Sequence, residues 1–279
     1  MTGGSPLAAS GPQADTDRRA ASGPRADGRP LAGRHALVTG ASRNLGATIA
    51  GVLAAAGADV AITYHESSAA AADLVGHLGA AHPGRHLAVR GDLTTTDGTR
   101  AAVTEAMTEL DGRVDILVNN YGPFSMVPFT QLDHADWQAV WSGNVTAIQL
   151  ACQLVLPGMN DRRWGRVINV SAGSAYLRNH SIYGLAKAAV LHLTEALALE
   201  AAPGVTVNAV APGQIDESAA DVAAIDPTFV ERAVARTPAG RLVTRAEVAE
   251  VVALLCDPTF AMLTGAVLPL DGGWRFNRF

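Results

Sequence analysis

His35-Ala36-Leu37-Val38-Thr39-Gly40-Ala41-Ser42-Arg43-Asn44-Leu45-Gly46 decides the fold, because an apolar, strand-like run breaks into a glycine turn and then a helix. The helical part, residues 47–56, is rich in Ala and Leu. A strand, a glycine turn and a helix N-terminus in this order direct free backbone N–H groups and the positive end of the helix dipole toward a phosphate. Asn44 stands where a third glycine is more usual. Asparagine is one of the few residues that accept a left-handed backbone, so the turn is expected to survive the change.

Outward from this unit the same alternation repeats. Short β-branched runs at 59–63, 86–90, 114–118, 166–170, 205–210 and 266–270 are separated by helical stretches. With the 35–39 run they predict an α/β chain: a single doubly wound, Rossmann-type domain whose seven-stranded, mostly parallel sheet is covered on both faces. Ligands of such sheets sit beyond the carboxyl ends of the strands, so the residues just after each strand are the ones to inspect. Residues 1–32, rich in Gly, Ala, Ser, Pro and Arg, read as a disordered tail, and 33–279 as the domain. The Pro- and Gly-punctuated segment 212–241 reads as a lid beside the site.

The 279 residues carry 21 Lys and Arg against 26 Asp and Glu, a formal charge of −5, and are 48% hydrophobic. This suits one globular domain with an ample core. Without a basic run, neither nucleic acid nor a membrane surface is an expected partner. No apolar stretch is judged to approach the roughly 20 residues of a membrane span, and no signal peptide is read, so the expected location is cytoplasmic. Cys152 and Cys256, far apart and without His or Cys neighbours at ligand spacing, read as apolar fillers in a reducing compartment. The eight histidines show no metal spacing, and no metal is expected.

Tyr183-Gly184-Leu185-Ala186-Lys187 places a phenol and an ammonium on one helix face. A phenol, with a pKa of about 10, is a poor proton donor at neutral pH until a fixed cation favours its anion, and Lys187 is placed to supply that cation. Tyr-x-x-x-Lys also occurs on ordinary amphipathic helices, so its weight depends on what surrounds it.

What surrounds it resembles the short-chain dehydrogenase/reductase family over nearly all of residues 34–274. Thr39-Gly40 to Gly46 is similar to that family's cofactor turn, Asp92-Leu93 to its adenine contact, Asn119-Asn120 to its sheet-stabilising pair, Asn144 to its helix asparagine and Tyr183-x-x-x-Lys187 to its catalytic pair. Pro212-Gly213-x-Ile215 resembles the nicotinamide-side loop, and Thr264-Gly265 with Asp271-Gly272-Gly273-Trp274 the closing segment. The resemblance implies that Tyr183 exchanges a proton with a carbonyl or alcohol oxygen while hydride moves to or from nicotinamide. Lys187 would hold the ribose and tune Tyr183, and Asn144 would fix a water. It further implies cofactor contacts at Gly40, Ser42, Arg43, Asn44, Leu45, Gly46, Tyr64, His65, Asp92, Leu93, Asn120, Gly122, Tyr183, Lys187, Pro212, Gly213 and Ile215. Assembly as a homotetramer or homodimer is also implied.

Cofactor preference follows from the end of the second strand, where an acidic residue commonly holds the 2′-hydroxyl of NAD. The strand here ends Ile62-Thr63-Tyr64-His65, with Glu66 beyond the expected position and Arg43 placed to meet a phosphate. NADP(H) is therefore favoured over NAD(H).

The chain departs from the pattern in two places. The position expected to hold the serine that binds the reacting oxygen is Ala172, which leaves Ser171, or alternatively Ser174, for that role. Tyr121 replaces a usually small residue, and with Phe124, Met126 and Phe129 it either walls an apolar pocket or packs the loop. Asp216-Glu217 replaces a frequent threonine in the lid, and Arg178-Asn179-His180 is a polar loop or a substrate contact. The expected function is an NADP(H)-dependent oxidoreductase reducing a ketone, or a related C=O, C=N or enone group, of a small-molecule or carrier-bound substrate, nearest in flavour to 3-oxoacyl carrier-protein reductases. The alternatives are a non-redox isomerase, cyclase or lyase, and a non-catalytic dinucleotide-binding protein.

Overall fold

Each of the seven β-branched runs forms a strand: β1 His35–Val38, β2 Asp59–Tyr64, β3 His86–Arg90, β4 Ile116–Asn119, β5 Gly165–Val170, β6 Val205–Pro212 and β7 Val267–Leu270. The computed structural model describes residues 28–176, 181–219 and 226–276. The strands lie in the order β3-β2-β1-β4-β5-β6-β7, and every neighbouring pair is parallel. The chain's direction across the sheet reverses between β1 and β4. That crevice is where a doubly wound sheet offers a ligand site.

Successive strand residues serve opposite faces, which is why the strands are apolar throughout rather than alternating. Val38, Ile62, Val118 and Ile168 face one core with α1 (Asn44–Ala55), α2 (Ser68–Ala81) and α8 (Arg245–Leu254). Leu37, Ala61, Leu117 and Val167 face the other with α3 (Thr96–Glu109), α5 (Ala147–Arg162) and α6 (Ile182–Glu200). Burying a leucine or isoleucine side chain in such a core stabilises the fold by about 1.5–3 kcal/mol.

Three expectations change. The tail reaches less far than residue 32: Leu31 is buried and its N–H donates to the Ala56 carbonyl at 2.9 Å. Residues 133–158, whose sequence reads as one long helix, run instead from α4 (His134–Trp141) through a π-helical turn at Ser142–Thr146 into α5. Two helical runs, His134–Arg162 and Ile182–Glu200, are long and apolar enough to cross a membrane by length and composition, which the sequence did not suggest. Their apolarity has a use in the fold, since Ala151, Val155, Met159, Val190 and Leu197 belong to the core against the sheet.

The lid segment contributes a 3-10 turn at Asp216–Ser218 and α7 (Phe229–Arg236), and residues 220–225 fall outside the described part. So do Arg178, Asn179 and His180, and most of the expected tail. Of the acidic pair, Glu217 has a structural role, because its carboxylate accepts from the Arg245 N–H at 3.0 and 3.1 Å, at the positive end of α8.

Candidate active site

The glycine turn after β1 closes as its sequence requires. Gly40 has φ +60° and Asn44 φ +54°, so the asparagine takes the left-handed conformation for which it was singled out. The turn is buttressed from both neighbouring strands. Thr63 Oγ1 accepts from Gly40 N–H at 2.9 Å, and Asn120 Nδ2 donates to the Thr39 and Gly40 carbonyls at 2.9 and 3.1 Å. A Cβ on Gly46 would come within 2.7 Å of both Ala41 Cα and Asn120 Nδ2, so only glycine lets α1 sit this close. No side chain caps α1, which leaves its first-turn N–H groups for an anion.

A cavity of about 320 Å³ opens over this turn. Of the expected cofactor residues, Gly40, Ser42, Arg43, Asn44, Leu45, Gly46, Tyr64, His65, Leu93, Asn120 and Gly122 line it. Glu66, which the sequence leaves within reach of the ribose, lines it as well, and so do Thr63, Ser67 and Gly91, which were not foreseen as contacts although the ends of β2 and β3 are where a doubly wound sheet directs attention. Asp92 is not in the lining; its carboxylate accepts from Thr94 N–H at 2.9 Å and Thr94 Oγ1 at 2.6 Å, closing the turn after β3 and lowering its own pKa. Pro212, Gly213 and Ile215 lie outside this cavity. A Cβ on Gly173 would stand 3.2 Å from the Pro212 carbonyl oxygen and 3.3 Å from Gly213 Cα, which places that loop against the one following β5.

Tyr121 is part of the cavity wall. Its ring packs on glycines from two elements: a Cβ on Gly40 would lie 2.9 Å from Tyr121 Cβ and Cδ2, and a Cβ on Gly143 2.9 Å from Cε1. It therefore spans from the glycine turn to the π-helical turn. Burial raises its pKa first, with the negative fields of Asp92 and Glu66 adding to the effect.

Asn144 and Lys187 converge on Gly122, and Tyr183 lies beside Lys187. A buried chain of hydrogen bonds sets α6 in place: Asn119 Nδ2 donates to Asn169 Oδ1 at 2.8 Å, and Asn169 Nδ2 donates to Thr194 Oγ1 at 2.9 Å. At the other end of α6, the Ser181 hydroxyl caps the helix by accepting from Gly184 N–H. Asn144 is fully buried in the π-helical turn, where its Nδ2 donates to the Pro123 and Val140 carbonyls at 2.9 Å each. Its Oδ1 is buried without a partner among the described residues. A Cβ on Gly122 would overlap that Oδ1 and come within 2.9 Å of Lys187 Nζ, so Gly122 is the empty corner around which the two side chains meet.

Lys187 Nζ donates to the Val170 carbonyl at 2.8 Å and stands 5.6 Å from the Tyr183 ring centroid. The sequence predicts that Lys187 lowers the Tyr183 pKa, and here the structure differs. Packing around the phenol pushes Tyr183 up to about 12, and burial pulls Lys187 down to about 8. Desolvation, which disfavours each charged form, is the cause of both shifts. At neutral pH the phenol keeps its proton and the amine its charge.

The two serines differ. Ser171 is buried and its hydroxyl donates to the Lys187 backbone carbonyl at 2.8 Å, fastening β5 to α6. Ser174 Oγ is buried and has no hydrogen-bond partner among the described residues. Which of them had an uncommitted proton could not be told from register alone.

A family model described as enoyl-(acyl carrier protein) reductase matches residues 40–275. The chain is 38% identical over 246 residues to a 3-oxoacyl-acyl-carrier-protein reductase, FabG, of Vibrio cholerae, covering 87% of this chain and 98% of that protein. Among solved structures, a gluconate 5-dehydrogenase from Burkholderia cenocepacia in complex with NADP and tartrate superimposes with a TM-score of 0.80 at 30% identity, covering 88% of this chain and 96% of its own. A blue fluorescent protein from a metagenomic library, in complex with NADPH, does so with a TM-score of 0.79 at 35% identity, covering 88% and 98%.

Proposed function

The chain belongs to the short-chain dehydrogenase/reductase family and is an oxidoreductase acting on C=O or CH–OH groups; from that premise we propose that it reduces a ketone with NADPH, Tyr183 giving the proton. The observation that carries this reading is the meeting of Asn144 and Lys187 at Gly122 with the Tyr183 ring 5.6 Å from the Lys187 ammonium, the phenol being held protonated by burial.

The cofactor site fits a dinucleotide on its own terms. The uncapped first turn of α1 over the Gly40–Gly46 turn suits a pyrophosphate, and Arg43 with Tyr64 and His65 in the lining suits a 2′-phosphate better than a bare ribose hydroxyl. Bound there, the cofactor supplies the hydride. What the protein adds is stabilisation of the oxygen that gains charge. Tyr183 donates its proton to that oxygen, and the Lys187 ammonium beneath it favours the phenolate left behind. Asn144 Oδ1, with no partner among the described residues, accepts from a water that returns the proton. We assign the reacting oxygen's second donor to Ser174 rather than Ser171, because Ser171 has committed its one proton to the Lys187 carbonyl.

The test is NADPH consumption by purified protein with a panel of ketones, β-ketoacyl thioesters, enones and imines, alongside Tyr183→Phe and Ser174→Ala. Consumption that Tyr183→Phe abolishes and Ser174→Ala lowers about a hundredfold is expected. Full activity in Tyr183→Phe would reject the mechanism, and tighter binding of NADH than NADPH in a titration would reject the cofactor assignment. Ala172 at the expected serine position favours one rival, a non-redox isomerisation on the same scaffold; product formation from a carbonyl substrate without loss of NADPH would select it. We further propose a homotetramer, which light scattering on the eluting protein decides.

A further inference from the structure

We infer that the segment Phe124–Phe129 makes this enzyme selective for ketones that carry a flat aromatic group a short distance from the carbonyl, with Phe124 as the residue that recognises it. The inference rests on the ketone-reducing function proposed above and names its substrate class.

Phe124 stands edge-on to Tyr183, with ring centroids 4.8 Å apart and planes at 70°. It nevertheless keeps 61% of its surface exposed, and Met126 and Phe129 in the same segment keep 56% and 46%. A single exposed apolar side chain is ordinary, whereas a contiguous group marks a surface that binds something. Here three such side chains fall within six residues of sequence, and the first of them, Phe124, packs on the ring of Tyr183. The segment is also held in place: Pro123, the neighbour of Phe124, offers its carbonyl to Asn144 Nδ2 at 2.9 Å, and its ring lies against Gly143. Phe124 is thus anchored by the same asparagine that serves the site, and its exposure is not that of a free loop tip.

A carbonyl oxygen bonded to the Tyr183 hydroxyl brings substituents two or three bonds away to the edge of Phe124, within the roughly 4.5–7 Å over which aromatic rings pair. A ring there would cover apolar surface that water now meets. A small acyl chain would leave most of it bare.

The matched probes are butan-2-one, 4-cyclohexylbutan-2-one and 4-phenylbutan-2-one, in which two methylenes insulate the carbonyl from the ring so that its reactivity is constant. For wild type, kcat/KM with NADPH is expected to favour the phenyl ketone over butan-2-one by at least tenfold, and over the cyclohexyl ketone by about threefold. In Phe124→Ala the phenyl-to-butanone ratio should fall by at least tenfold, and Phe124→Tyr should restore it. Calorimetric binding of 4-phenylbutan-2-one to the inactive Tyr183→Phe variant should weaken in step when Phe124→Ala is added. Turnover of ketones with a phenyl-to-butanone ratio near one, or a ratio indifferent to Phe124→Ala, overturns this inference and leaves the ketone-reductase reading standing. An equal fall for all three probes makes Phe124 a support for Tyr183 and also overturns it. If no carbonyl of any class consumes NADPH, the ketone-reductase reading itself fails and takes this inference with it.

Discussion

Replacing Gly122 with alanine is the sharpest test of how the site is assembled. Gly122 does not have the positive φ that would make a side chain costly by itself, so the effect of a methyl is a matter of space. That methyl would overlap Asn144 Oδ1 and stand 2.9 Å from Lys187 Nζ. Neither neighbour is free to retreat: Asn144 is fully buried and held by two 2.9 Å bonds, and Lys187 is 3% exposed and held by a 2.8 Å bond to Val170. Overpacking of this kind costs about 1–3 kcal/mol, and a broken buried hydrogen bond adds about 1 kcal/mol. For a domain of this size the sum lowers Tm by roughly 4–16 °C. Displacing a positioned group by about 1 Å costs on the order of a hundredfold in rate, so kcat should fall by about that factor. The assays are differential scanning fluorimetry and steady-state NADPH oxidation on the best ketone. Adding Asn144→Ala to Gly122→Ala should recover part of the lost Tm, a coupling expected only of residues in contact. A Gly122→Ala protein with wild-type Tm and kcat within threefold would refute the proposed convergence of Asn144 and Lys187 on this corner.

Three further outcomes are expected. In Tyr121→Ala, loss of the ring that rests on Gly40 and Gly143 should lower Tm and raise the dinucleotide Kd at least tenfold by calorimetry, with Tyr121→Phe close to wild type in both; a Kd unmoved by the alanine would remove Tyr121 from the cofactor wall. Thr244→Ala deletes a capping box in which Thr244 Oγ1 accepts from Glu247 N–H at 3.2 Å and Glu247 Oε2 accepts from Thr244 N–H at 2.9 Å; stability in urea should drop by about 1 kcal/mol with kcat unchanged. Lys187, near 8 when folded against an ordinary 10.5, gives the unfolded chain the extra proton between those values, so stability should rise with pH from about 8 to 10.5, by at most about 3 kcal/mol. Tyr183, near 12 when folded against an ordinary 10, acts in the opposite direction: above pH 10 the folded protein alone keeps the phenolic proton, so stability falls as pH rises toward 12. Urea titrations across pH 7–11 should show the first trend vanish in Lys187→Met; its persistence there would assign it elsewhere.

The fold was legible because its signals are local. Strands apolar on both faces, such as Leu37-Val38 in β1, announce a covered parallel sheet, and Asn44 announced its own left-handed turn because few other residues accept one. The site was legible as a set of residues and much less so as an arrangement. A five-residue π-helical turn leaves no trace in the apolar periodicity of 133–158, yet it is what turns Asn144 toward Pro123 and frees its Oδ1. The register around β5 could nominate Ser171 and Ser174, but which hydroxyl stays free depends on the carbonyl of Lys187, which reaches Ser171 only when α6 packs on the sheet.

The same limit explains the inverted pKa shifts, and the inversion has a chemical consequence. Four residues of spacing on a helix correctly put a cation near Tyr183, and from spacing alone the cation should acidify the phenol. Depth in the fold decides otherwise, because burial deprives both charged forms of hydration, and depth is a property of all the elements that cover α6. A free enzyme whose phenol sits near 12 and whose lysine sits near 8 holds a proton on Tyr183 and a charge on Lys187 throughout the neutral range. That is the state needed to give a proton to an oxygen receiving hydride. The reverse reaction must first take the proton off, and the cation that stabilises the resulting phenolate is itself lost above pH 8. In the proposed mechanism oxidation needs the phenolate and the charged Lys187 together, and with these two values the fraction of protein holding both rises with pH up to about 8 and then stays level toward 12, because each tenfold gain in phenolate is met by a tenfold loss of charged lysine. Initial rates of alcohol oxidation with NADP, followed from pH 6 to pH 11, should climb to about pH 8 and then level off; a rate that climbs steadily to pH 11 would show that the phenolate needs no charged Lys187.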